Sequence, residues 1–345
     1  MSKIIILAFA FLLAQNLIHS QDIAKNKKNS RVAYNAAVEN IKSSNFDVAL
    51  TYIDASLDLD PGFTDALLIK AKVETELGML AMALKNFELV TQKDDKRGEA
   101  YFYIGYLQFN GDTGSFIIKN LNLAIQKGYK TPQSYFYRGL YKLIAKEYSE
   151  AIKDFTEAVG LQSDFALAYH DRATAKYRLG DLQGAMQDYR TATNFNHDFS
   201  TAFVNMGIIK TELGDYPGAI EDYSIAISLD STIFTAYNNR GNAKYFLGDI
   251  PAALMDFNKA IILAEKNYVN AMNNKGCALA KNGELKDAIL IFDDVIVSDA
   301  VNAKAHLNRG LVKELLGDIE GACADWKIAL ENGISDAENY LKECK

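Results

Sequence analysis

The chain has 345 residues, of which 49% are hydrophobic, 23% charged and 11% aromatic, with 4 Pro, 22 Gly and 3 Cys. That balance excludes a disordered chain, a collagen-like repeat and a disulfide-dense mini-protein. A formal charge of -7 leaves no general basic surface to neutralise phosphates, so nucleic acid is not an expected partner.

Lys3 precedes an unbroken apolar run from Ile4 to Leu13, and a polar stretch from Gln15 to Gln21 follows. This is the pattern of a secretory signal over residues 1–20, cut after Ser20 or Ala14. The run is too short for a membrane-spanning helix, which needs roughly 20 residues. No Cys follows it to carry a lipid. The expected mature chain is exported, periplasmic or secreted, without an integral span. Residues 21–29 are expected as a short linker.

From residue 30 onward the chain aligns on itself. Small residues recur at Ala37, Ala71, Gly105, Gly139, Ala173, Gly207, Gly241, Gly276 and Gly310, with spacings of 34 and a single 35. Twelve residues after each stands Ala49, Ala83, Ala151, Ala185, Ala219, Ala253, Ala288 or Ala322, with Ile117 as the exception. Four further on come large apolar residues, among them Phe87, Phe155, Tyr223, Phe292 and Trp326. Small residues facing large ones let two helices approach closely. Between the two small positions lie turns such as Leu179-Gly180-Asp181 and Leu213-Gly214-Asp215. There Gly ends the first helix in the left-handed region and Asp caps the second. Each unit is thus a helical hairpin with arms of about 14 residues, roughly 20 Å long, which buries its apolar face only by stacking on its neighbours.

The period and register, carried by stretches such as Tyr237 to Lys244 and Ala219 to Tyr223, resemble the tetratricopeptide repeat. The resemblance covers residues 30–336 as nine units, starting near 30, 64, 98, 132, 166, 200, 234, 269 and 303. It implies an all-α, right-handed superhelix of helix pairs whose first helices line a concave groove. The third unit departs most, through Ile117 and the turn from Asn110 to Gly114. Residues 335–345 look like the solvating helix that closes such arrays.

A charge pattern runs through four units. Arg138, Arg172, Arg240 and Arg309 precede the small residue of the first helix, and Asp154, Asp188, Asp256 and Asp325 follow 16 residues later. In an antiparallel hairpin that separation brings both side chains level. We expect structural ion pairs, within a hairpin or to the next, rather than ligand-binding arginines, because the partner carboxylate is built in. Such pairs specify register more than they add stability. The pattern fails in the eighth unit, which has Lys275 and Ile291. Cys323 and Cys344 lie 10 residues before and 11 after Gly333. A turn there brings them level, either as a disulfide worth about 3 kcal/mol or as two half-buried thiols. Cys277 is expected to be unpaired.

No motif assembles an active site. His170, His197 and His306 have no metal-type spacing, and there is neither a phosphate loop nor a nucleophile elbow. The string Asp112-Thr113-Gly114-Ser115 matches aspartic proteases, but that chemistry needs two facing carboxylates and the chain has one copy. No enzyme activity, cofactor or metal is expected.

Partner-binding candidates lie on the first helices. Phe102, Tyr103, Tyr106, Phe109, Phe136 and Tyr137 form either pockets for apolar side chains or packing between neighbouring helices. Asn35, Asn205, Asn239, Asn274 and Asn308 share one position, with Asn238, Asn242 and Asn273 beside them. Asn offers a donor and an acceptor to a peptide backbone, similar to the asparagine ladder of the superhelical repeats in O-GlcNAc transferase. Ile69, Tyr103, Tyr137 and Asp171 interrupt the row. The family's clamp for chaperone carboxylate tails is matched by Asn242, Asn274 and Lys304, but two of its cations are replaced by Asn238 and Asn308, so that ligand is rejected. The expected function is a scaffold binding a protein or extended peptide. A structural subunit of an envelope or secretion assembly and a regulatory subunit of an envelope enzyme are the alternatives.

Overall fold

The structure is a computed structural model that describes residues 2–109, 114–264, 268–342 and 344. Every element among the described residues is a helix. The chain divides into two compact units, residues 1–163 and 164–345.

The first unit contains α1 (Ser2–Lys42), α2 (Phe46–Leu59), α3 (Thr64–Glu76), α4 (Leu80–Lys93), α5 (Gly98–Gln108), α6 (Ser115–Gln126), α7 (Pro132–Ile144) and α8 (Tyr148–Leu161). Successive helices pair as α1–α2, α3–α4, α5–α6 and α7–α8, and each pair packs on the next. Residues 21–29 do not form a linker: they are exposed turns of α1, which runs without a break into the first arm of the first repeat. The repeat proper begins where Ser30 becomes buried. Its hydroxyl donates to the Ser56 carbonyl at 2.8 Å, and the Ser56 hydroxyl donates back to the Ser30 carbonyl at 2.9 Å.

The second unit contains α9 (Ala166–Arg178), α10 (Leu182–Phe195), α11 (Ser200–Glu212), α12 (Tyr216–Leu229), α13 (Phe234–Leu247), α14 (Ile250–Leu263), α15 (Val269–Lys281), α16 (Leu285–Ser298), α17 (Ala303–Leu315), α18 (Ile319–Glu331) and α19 (Ala337–Leu341). They pair in the same way, from α9–α10 through α17–α18, with α19 laid on α18.

The turns explain why the helices end where they do. Gly180 and Gly214 sit at φ of 83° and 79°, where a side chain would be strained. The next residue, Asp181 or Asp215, accepts a hydrogen bond from the backbone N–H of Gly184 or Gly218 at 2.9 or 3.0 Å. Inside each hairpin the small residues carry the close approach. Ala71, Ala83, Ala173 and Ala185 are wholly buried. Gly207 is held small by its neighbour, since a Cβ there would lie 2.6 Å from the Tyr223 ring.

The third repeat keeps its hairpin despite Ile117, whose side chain is buried with Leu121 and Ala124. Its turn at residues 110–113 lies outside the described residues, as do Asp112 and Thr113 of the protease-like string. At the far end the closing helix occupies only Ala337–Leu341. Ala337 is buried against Trp326, and Tyr340 stacks on that indole with centroids 5.2 Å apart. Cys323 and Cys344 form a disulfide with a Cα–Cα distance of 5.9 Å. Cys277 is free, and burial pushes its thiol up to about 11, which makes it a poor nucleophile.

Candidate functional site

The hairpin registers set charged groups between their two arms. Arg138 meets Asp154 through Nε at 2.9 Å and Nη2 at 2.5 Å. Arg172 meets Asp188 at 2.8 and 2.8 Å, Arg240 meets Asp256 at 2.9 and 2.7 Å, and Arg309 meets Asp325 at 2.8 and 2.6 Å. All four carboxylates are buried, and the two-pronged contact suits the guanidinium fork.

Two further contacts are absent from the sequence reading. A lysine four residues after each arginine closes on the same carboxylate: Lys142, Lys176, Lys244 and Lys313, at 2.7 to 2.8 Å. The i,i+4 spacing that places both cations on one helix face was the available signal. The arginine's remaining nitrogen also reaches the second arm of the preceding repeat. Arg138 Nη1 donates to Asn122 at 3.2 Å, Arg240 Nη1 to Ser224 at 3.0 Å and Arg309 Nη1 to Asp293 at 2.5 Å. Each of these arginines therefore ties three helices. The eighth repeat has Lys275, Leu279 and Ile291 at the three positions and lacks the cluster.

Asp325 and Asp222 differ in the groups that face them. Burial alone would raise Asp325, but hydrogen bonds from Arg309, Lys313 and His306 more than reverse that and hold its carboxyl below the usual range. In the sixth repeat Met206 stands in the arginine position, and Asp222 pairs with Lys210. There burial prevails and the carboxyl is raised. His306 is buried with Nδ1 2.8 Å from Asp325 and Nε2 3.1 Å from the Ala300 carbonyl, so it is committed to packing.

The aromatic candidates separate into two sets. Phe102 and Phe136 are buried and pack in the core. Tyr103, Tyr106, Phe109 and Tyr137 are half-buried. Tyr103 stacks on Phe87 at 4.8 Å, and Tyr106 meets Tyr137 edge-on at 4.9 Å, with Phe109 6.1 Å from Tyr137. The result is one connected ring surface across α5 and α7. Burial pushes the Tyr137 hydroxyl up to about 12, so it stays neutral at physiological pH.

The asparagines separate likewise. Asn35 is exposed on α1, while Asn205, Asn239, Asn274 and Asn308 are half-exposed on α11, α13, α15 and α17. Asn238 and Asn273 are buried. Asn274 Nδ2 donates to Asn238 Oδ1 at 3.0 Å, and Asn238 Nδ2 donates to Asn239 Oδ1 at 3.2 Å, which joins α13 to α15. Asn273 donates to Asn302 at 3.4 Å, and Asn205 lies 3.3 Å from His170 Nε2. Asn239 and Asn242 line a recess of about 130 Å³ with Ile208, Thr211, Glu212 and Tyr223. Lys304 is exposed. Among the described residues no group of three His, Cys, Asp or Glu is placed to hold a metal, and no helix is long and apolar enough to cross a membrane.

Stacked helical hairpins, pinned by repeated ion clusters and presenting side chains from successive first arms, define a helical-repeat interaction protein. A "TPR repeat" family model matches residues 207–248 and a "Tetratricopeptide repeat" model matches residues 273–337. The chain thus carries tetratricopeptide repeats, a scaffold type for protein–protein interaction. Among solved structures, the anaphase-promoting-complex hetero-tetramer Cut9–Hcn1 is similar at 15% identity, covering 96% of this chain and 89% of that one, with a TM-score of 0.54. That likeness concerns the fold. YrrB, described as a TPR protein with an unusual peptide-binding site, is 23% identical over 55% of this chain and 97% of its own, with a TM-score of 0.46. A tetratricopeptide repeat protein from Parabacteroides merdae is 17% identical over 81% of this chain and 97% of its own, with a TM-score of 0.47. A comparison with curated proteins finds no match.

Proposed function

We propose that the chain is an exported, non-catalytic scaffold that binds a protein or an extended peptide along the first-arm helices of residues 200–315. The supporting observation is the asparagine row beside the Asn239–Asn242 recess. Half-exposed amides on α11, α13, α15 and α17 offer donors and acceptors at the spacing of successive repeats. Asn238 holds two of them in place from beneath. The recess of about 130 Å³ has room for one side chain of the bound segment, with Glu212 at its wall. An extended backbone is read by such amides without regard to sequence, so selectivity falls to the recess. Residues 1–20 act as the export signal in this reading, which places the partner in the periplasm or outside the cell.

The test is a pair of affinity baits applied to envelope extract. One is the chain itself, and the other carries Asn205, Asn239, Asn274 and Asn308 changed to Ala with helicity checked as unchanged. A protein held by the first bait and lost from the second supports the reading. Equal capture by both sinks it. N-terminal sequencing of the protein from the envelope fraction tests the export step: a start at residue 15 or 21 is expected, and an uncut cytosolic chain refutes it.

A further inference from the structure

The second-arm helices of the seventh and eighth repeats carry a surface unlike any other in the array. On α14, Met255 and Ile262 are 73% and 67% exposed, and on α16 the equivalent Leu290 and Val297 are 60% and 88% exposed. In every other repeat at least one of these two positions holds a charged residue or an amide. Each apolar pair is spaced i,i+7, and the residue at i+4 lies on the same face. That residue is Lys259 on α14 and Asp294 on α16, both exposed and neither in an ion pair among the described residues. The two faces thus share one pattern, apolar–charged–apolar, with the sign of the charge reversed.

The two helices run in the same direction, since each is the second arm of its hairpin and α15 returns between them. They also share a cleft of about 450 Å³ whose wall is half apolar, with Leu254 and Leu290 among its residues, and half polar, from Asn258, Lys275, Glu284 and Asp287. It lies in the repeat without the arginine cluster, so no guanidinium ties α15 to α14 there.

We infer that this face is a two-fold interface with a second copy of the chain. A two-fold axis lying in the contact plane, parallel to α14 and α16 and midway between them, sets α14 against α16 of the partner copy at equal height. Met255 then faces the partner's Leu290, Ile262 faces the partner's Val297, and Lys259 faces the partner's Asp294, with the reciprocal contacts made at the same time. An isologous contact requires such self-complementarity. An axis perpendicular to the helices would instead oppose like charges. Four apolar side chains fall short of the ~800 Å² per partner of a standard interface, so the association is weak and concentration-dependent. It uses the opposite arms from the proposed peptide site and stands independently of it.

Sedimentation velocity of the purified full-length chain over a rising concentration series tests the inference. A monomer–dimer equilibrium is expected, weakened at least about tenfold by Lys259→Asp and by Asp294→Lys, each of which creates like-charge pairs across the axis. An equimolar mixture of the two variants, and the double variant K259D/D294K, recover association because both restore opposite charges. Circular dichroism identical to that of the unaltered chain excludes misfolding at these exposed positions. A chain that stays monomeric at every concentration overturns the inference. So do single variants that dimerise undiminished, or a mixture that fails to associate.

Discussion

Lys210 pairs with Asp222 at 2.8 Å, and Met206 occupies the place where four other repeats have an arginine. Burial raises Asp222, whereas Asp325, with Arg309, Lys313 and His306, is lowered although both are shielded from water. Of these two carboxylates, the one joined by an arginine and a histidine is the one held in its ionised form.

Neutralising the two carboxylates should have unequal effects. Asp325→Asn leaves Arg309, Lys313 and His306 facing a group without charge and should cost about 3 kcal/mol. Asp222→Asn removes an under-compensated buried charge and should cost less than about 1 kcal/mol. Chemical unfolding of both variants at neutral pH checks the order, and equal losses would refute the contrast between the two sites.

The same contrast sets opposite pH dependences. Asp325 has a folded-state value below its unfolded one, so its contribution is complete above the ordinary aspartate range and is lost as pH falls through the lowered value. Asp222 has a folded-state value above its unfolded one. The folded chain therefore keeps that proton longer, and stability declines as pH rises from the ordinary range through the raised value. Relative to the unaltered chain, Asp222→Asn should become progressively more favourable over that rise, and Asp325→Asn progressively less harmful in strong acid. Melting series between about pH 2 and 7 measure both slopes.

Trp326 is the only tryptophan in the chain and stacks on Tyr340, inside the segment closed by Cys323 and Cys344. Reduction, or Cys344→Ser, should free the last helix, shift indole emission to the red and cost about 3 kcal/mol. Unchanged emission after complete reduction would show that packing alone retains the helix.

Gly310 packs flat against the Trp326 indole, and a Cβ there would overlap its Nε1. Gly310→Ala should destabilise by about 1–3 kcal/mol despite the higher helix propensity of alanine. Guanidinium unfolding followed by the same tryptophan reads the loss.

Much of the molecule is legible along the chain because the determinants are local and repeated. Ala71, Ala83 and Phe87, three residues spaced 12 and 4 apart, already describe two helices in contact. Gly180 followed by Asp181 describes the turn between two such helices, through one left-handed φ and one side-chain cap. The 16-residue step from Arg309 to Asp325 is equally visible. The third group, Lys313, is legible only as an i,i+4 neighbour of Arg309, because its part depends on the carboxylate being buried between two cations.

The sequence by itself determined the repeat, its register and the all-α hairpin, since each rests on residues within one or two units of each other. Only the tertiary structure decided which side of a helix reaches water. Phe102 and Tyr106 lie one turn apart, yet Phe102 is buried and Tyr106 half-exposed. Neighbouring Asn238 and Asn239 divide the same way, one holding the layer and the other facing outward. Exposure depends on the packing angle between successive hairpins, which sums contacts from both neighbours and is carried by no single residue. The bare faces of Met255, Ile262, Leu290 and Val297 emerge only at that level, because an apolar residue on a helix reads as core until the neighbouring helices are in place.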